Sequence, residues 1–249
     1  MNKYLYDIQS AWKSPAQSAE TVGRRFLGTL DALTQIDPIL GDWGTKLDDS
    51  NLGQPIDAVR PNITDFVEKN AGLDDDDEPD PIYGGYWLFA ANQFGRGPLN
   101  RPDRIRFDLC TGSARINHYN LEVGSQSMPP PPSILSYSLF RSALLALIKI
   151  WPAPWANMRV SPWGEDPPSL PDGSAFPYSG FQMPWFSYLC AERAAKVTVS
   201  PAILTERTPD GGLLMIAAET RLDPDNPQHL IRSKMLAEIM IAHGGDPAW

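Results

Sequence analysis

Between Gly85 and Val123 the apolar residues fall into a period of two, and that spacing limits the folds open to the chain. Gly85-Tyr-Trp-Leu-Phe-Ala-Ala91, Arg104-Ile-Arg-Phe-Asp-Leu-Cys110 and Tyr119-Asn-Leu-Glu-Val123 alternate in this way, as half-buried strands do. Three such runs in succession, joined by short polar connections, predict an antiparallel meander.

The flanks read as helices. Ser14-Pro15-Ala16-Gln17 offers a capping box with proline at the first helical position. Val22, Phe26, Leu30, Leu33 and Ile36 then recur at three- and four-residue spacing up to Asp37-Pro38, one apolar stripe on one helix. A short helix is expected over Ile63 to Lys69. The prolines at 129 to 132 form a stiff spacer, after which Ser133 opens a second long helix through Leu139, Leu144, Leu147 and Ile148. Trp151 to Pro184, rich in proline and aromatic rings, is expected to drape over the sheet, and Trp185 to Val197 to be helical. Ala202 to Arg207 and Leu213 to Ala217 flank Pro209-Asp-Gly-Gly212 and read as a hairpin. Asp223-Pro-Asp-Asn-Pro227 caps a last helix carrying Leu230, Met235, Leu236, Ile239 and Met240. Strands bracketed by helices without regular alternation define an α+β class: a mostly antiparallel sheet, helices packed on it, and long helices towards both ends. Residues 1–249 are expected to form a single domain, with the stretch near 125–133 as the one place for an internal boundary.

Composition narrows the functions. The chain has 249 residues, 42% of them apolar and 20% charged, enough to bury a large core without staples. The 25 prolines are about twice the average share. With 21 basic and 30 acidic residues the formal charge is −9, which argues against broad contact with nucleic acid or an anionic membrane. Cys110 and Cys190 both lie in apolar surroundings, and two buried free thiols in a reducing compartment are the preferred reading, with one structural disulfide between them as the alternative. The opening MNKYLYDIQSAWKSP lacks the apolar run of a signal peptide, and the expectation is a cytoplasmic protein.

Gly72-Leu-Asp-Asp-Asp-Asp-Glu-Pro-Asp-Pro81 places Asp74, Asp75, Asp76, Asp77, Glu78 and Asp80 together. The run lacks the glycine and the closing glutamate of a calcium loop. His118, His229, His243, Cys110 and Cys190 show no zinc-ligand spacing. No G-x-S-x-G, P-loop, G-x-G-x-x-G or H-E-x-x-H occurs, and no acidic residue stands two positions before any lysine, as in a restriction-type nuclease. Neither catalytic residues nor a cofactor nor a metal is expected. A binding protein is the preferred reading, with a hydrolase around Cys190, His229 or a serine as the rival.

Arg24 to Trp43 (RRFLGTLDALTQIDPILGDW) resembles the opening signature of the immunity protein 52 family of bacterial polymorphic-toxin systems. Thr205 to Leu230 (TERTPDGGLLMIAAETRLDPDNPQHL) is similar to its closing hairpin and capped helix. The resemblance implies an antidote, often associated with type VI secretion, that binds a cognate restriction-endonuclease-like nuclease toxin in the producing cell and blocks it. It carries over no catalytic residues and no binding motif. The chain's own chemistry nominates Asp74, Asp75, Asp76, Asp77, Glu78 and Asp80 as a surface for that basic partner. An effector chaperone, binding the toxin without inhibiting it, is the alternative.

Overall fold

The computed structural model describes residues 4–46, 52–94, 101–124, 130–162, 170 and 183–244. In chain order it comprises β1 (Tyr4–Trp12), α1 (Ala19–Ile36), β2 (Gly44–Lys46), β3 (Leu52–Pro55), α2 (Ile56–Val59), α3 (Ile63–Glu68), β4 (Tyr86–Ala91), β5 (Ile105–Thr111) and β6 (Asn117–Val123). Then follow α4 (Tyr137–Ile150), β7 (Trp155–Pro162), β8 (Pro184–Leu189), α5 (Ala191–Ala194), β9 (Leu204–Arg207), β10 (Leu213–Ile216) and α6 (Pro227–His243). The strands make one antiparallel sheet in the order β3-β2-β4-β5-β6-β1-β7-β8-β10-β9. The α+β class and the β4-β5-β6 meander are as the sequence predicts, and so is the β9-β10 hairpin.

Alternation along the strands separates two sheet faces. Tyr6, Ile8, Leu121, Val123, Phe107, Leu109 and Leu88 share one face through the register of β1, β6, β5 and β4, and all are buried. The stripe of α1 closes over it: Phe26 stacks on Phe107 with centroids 6.2 Å apart. α4 lies beside α1, tied to it where Trp151 Nε1 donates to Thr29 Oγ1 at 2.9 Å. Phe140 of α4 meets Trp185 of β8 at 6.3 Å. Fully burying side chains of this size stabilises by about 1.5–3 kcal/mol each, so this layer supplies most of the driving force.

Several expectations need correction. The first helix is capped by Ser18, whose Oγ accepts the Thr21 N–H at 3.3 Å. Ser14 and Gln17 bond to each other outside the helix, Gln17 Nε2 donating to Ser14 Oγ at 3.3 Å, and Asn117 donates to Ser14 Oγ and Arg25 to Gln17 Oε1. β1 precedes that helix and occupies the middle of the sheet. The second long helix begins at Tyr137 behind Ser136, because Pro132–Ile134 form a 3-10 turn. Trp185 to Val197 is not one helix: it begins as strand, with β8 buried at all six positions and ending at Leu189, and only the short α5 follows. Trp151 to Pro184 does not simply drape over the sheet: β7 is one of its central strands. Residues 163–169 and 171–182 of that stretch lie outside the described residues.

The last helix is capped as expected, with Asn226 Oδ1 accepting the Gln228 N–H at 2.9 Å. Both cysteines are free as expected, but only Cys110 is buried: Cys190 is partly exposed, since it caps the short α5 at the end of β8. Among the described residues, no helix is long and apolar enough to cross a membrane.

Candidate partner-binding surface

The acidic run belongs to an ordered excursion between α3 and β4. Ala71 bridges Tyr86, and the Gly72 N–H reaches Gly85 O at 2.8 Å, so the two ends are zipped together. Gly85 adopts φ +67, and a Cβ there would lie 2.8 Å from Thr111 O, a place for glycine alone. Further out, Asp80 N–H donates to Gly72 O and Gly84 N–H to Asp80 O.

Two of the acids build the turn that displays the others. Asp74 Oδ1 accepts the Asp76 N–H at 2.9 Å and the Glu78 N–H at 3.0 Å, an Asx turn. The main chain closes it through Asp74 N–H to Glu78 O, and Asp77 sits at φ 62, a conformation that aspartate tolerates better than most residues. Asp80 Oδ1 likewise accepts from Ile82 and Tyr83 N–H. Asp74 through Glu78 are exposed and Asp80 half-buried. Among the described residues none of the six enters an ion pair.

Around this turn the chain exposes large apolar side chains. Leu73 is 57% exposed, Ile82 55%, Tyr83 54%, Trp87 57% and Ile116 42%. Ser113 Oγ donates to Tyr83 O, Ala114 N–H to Ile82 O, and the Arg115 guanidinium lies 5.0 Å over the Tyr83 ring. Trp87 stands edge-on to His118 at 5.6 Å. Exposed large apolar side chains in the same part of the chain as fixed carboxylates are interface chemistry.

The second sheet face continues from Trp87. Arg159, Asp7, Glu122 and Arg106 lie directly opposite one another across β7, β1, β6 and β5. Arg159 pairs with Asp7 at 2.6 Å and Arg106 with Glu122. Burial, against the attraction of Arg106, holds the Glu122 carboxyl above its usual range. The next row holds Asn157, Gln9, Asn120 and Asp108.

Burial pushes the Cys110 thiol up to about 11. His229 accepts the Asp223 N–H at Nδ1, the His243 carbonyl accepts from Arg193, and no hydrogen bond joins Cys190 to His229. Among the described residues no three His, Cys, Asp or Glu side chains are grouped so as to hold a metal. The six acids are brought together as the sequence suggests. The apolar patch was not foreseen, although the shared parity of Arg106, Asp108, His118, Asn120 and Glu122 is a signal that one face of the meander is wet.

No family model matches the chain, so the likeness of Arg24–Trp43 and Thr205–Leu230 to immunity protein 52 rests on those residues. No curated protein matches it either. Among solved structures, "Pseudomonas aeruginosa T6SS protein PA0821" is similar at a TM-score of 0.49 and 9% identity, over 96% of this chain and 76% of that one.

Proposed function

We propose that the chain is a non-enzymatic binding protein that captures a basic protein partner through the face built around Asp74–Asp80, and that this partner is a nuclease toxin neutralised in the cytoplasm of the producing cell. The observation that carries the reading is the hydrogen-bonded acidic turn, together with the exposed Leu73, Ile82, Tyr83, Trp87 and Ile116 of the segments in and beyond that excursion. A nuclease gathers lysine and arginine for phosphate, so carboxylates held in place attract that surface over a distance, and the apolar side chains supply contact once it arrives. The resemblance of the two terminal stretches supplies the toxin class.

The test is co-purification with the toxin encoded beside this chain, followed by plasmid cleavage with and without an excess of this protein. Complex formation with cleavage abolished is expected. A complex that still cuts DNA would make the protein a chaperone, and no complex would remove the reading.

A further inference from the structure

Ile82 and Tyr83 lie against the turn that joins β5 to β6, and all four of their main-chain polar groups are bonded. Asp80 Oδ1 accepts both N–H groups, Ala114 N–H donates to Ile82 O, and Ser113 Oγ donates to Tyr83 O at 2.7 Å. Ser113 is buried and is fixed in turn by Asn117, whose Oδ1 accepts its N–H and whose Nδ2 donates to its carbonyl. On this tied backbone the side chains stay in water: Ile82 is 55% exposed, Tyr83 54% and Ile116 42%. Arg115 is exposed as well. Its guanidinium stacks over the Tyr83 ring and, among the described residues, enters no ion pair. The acidic turn grows from the same segment, joined to it by the Leu73–Pro79 bridge and by Asp80 N–H on Gly72 O.

We propose that Ile82, Tyr83, Arg115 and Ile116 form the shelf that holds the basic partner once the acids have drawn it in. The shelf seats against an apolar patch of that partner, which offers an acceptor oxygen to Arg115 and sets lysine or arginine towards Asp74–Glu78. The inference deepens the binding reading above and rests on it for the partner's identity. A second copy of this chain does not fit, because two molecules of formal charge −9 would bring like acids together. Tyrosine and arginine are the residue types in which interface affinity concentrates. A guanidinium stacked on a ring still has its N–H edge free to donate. The main chain under the shelf is fixed before contact, so little freedom is lost on binding. Exposed carboxylates act over distance on the rate of encounter, whereas rings that lose their water on contact act on the rate of escape. The two parts of the surface therefore have separable kinetics.

The chain is immobilised and the toxin encoded beside it is passed over at several salt concentrations. Tyr83→Ala should raise the dissociation rate by about tenfold or more and Ile116→Ala by about threefold, at every salt concentration and with association nearly unchanged. Arg115→Lys should also shorten the lifetime of the complex, since an ammonium keeps the charge but neither the planar stack nor the forked donors. All three positions are exposed, so thermal midpoints should stay at the parent's. Dissociation unchanged in both Tyr83→Ala and Ile116→Ala, or an effect that tracks a lowered midpoint, would overturn the shelf. Plasmid cleavage on the same samples separates it from the antidote. Faster dissociation of a complex that still cuts DNA would leave the shelf standing and remove the antidote. Abolished cleavage with dissociation unaffected would remove the shelf and leave the antidote, and no complex at all would remove both.

Discussion

Arg159 lies directly across from Asp7, its Nε 2.6 and 2.9 Å from the two carboxylate oxygens. Asp7 is nearly buried, so the pair is shielded from solvent and neither charge is easily left alone. Asp7→Ala should lower stability by roughly 3 kcal/mol in urea unfolding, whereas replacing both partners with apolar residues of similar volume should cost less than that single change. A double replacement that costs as much as the sum of the single ones would show that the two residues do not act together.

The packing of Phe26 on Phe107 sets the second expectation. Phe26→Ala empties a fully buried site and should cost roughly 3–5 kcal/mol, read as a fall in the denaturation midpoint. Partner affinity measured on the folded fraction should stay unchanged, because the side chain lies under α1 and far from solvent. A loss of affinity at undiminished stability would contradict that placement.

The acids of the turn have separable duties. Asp75→Asn, Asp76→Asn and Asp77→Asn together remove charge without touching the carboxylate that holds the turn, and should slow association with a basic partner by about tenfold at low salt. The dependence of the rate on ionic strength should flatten as well. Stopped-flow traces that superimpose on the parent's at every salt concentration would take the run out of the encounter.

Asp74 separates geometry from charge. Asp74→Asn keeps an oxygen to accept the Asp76 and Glu78 N–H groups, while Asp74→Ala leaves both donors without it. Amide exchange at Asp76 and Glu78 should accelerate in the alanine variant and stay near the parent rate in the asparagine variant.

His118 and His229 both have pKa values lowered from 6.5, chiefly by burial. As the pH falls below 6.5 the unfolded chain takes up these protons before the folded chain does. The stability they contribute is therefore present above pH 6.5 and is lost as the pH falls through their folded values. His118→Gln should flatten that decline in part and His118→Gln with His229→Gln further. Denaturation midpoints across the same range, identical in slope to the parent's, would contradict the sign.

How much of this could be read from the sequence depended on whether a strand has one wet face. β4, β5 and β6 alternate, because Arg106, Asp108, His118, Asn120 and Glu122 turn away from the buried layer, and they were legible. β8 is buried at every position and β1 at most of its own, so period two disappears from the strands at the centre of the sheet. β1 hides it further by seating Asp7 and Gln9 inside. The acids were legible as a cluster, but not the Asx turn that orders them, since only hydrogen-bond geometry distinguishes a structural aspartate from a displayed one. Tryptophan illustrates the limit. Trp12, Trp43, Trp151, Trp155 and Trp185 are core while Trp87 is not, and no local pattern separates them.

The position of β1 in the sheet has a temporal consequence. Ile8 pairs with Leu121 and with Met158, so the central strand waits for segments far along the chain, while the meander and the last hairpin can close locally. Contacts of such separation are slow to form because the intervening chain must be confined before they stabilise anything. The first of these strands along the chain thus has both of its neighbours on segments made much later, and its place in the sheet stays open until they arrive.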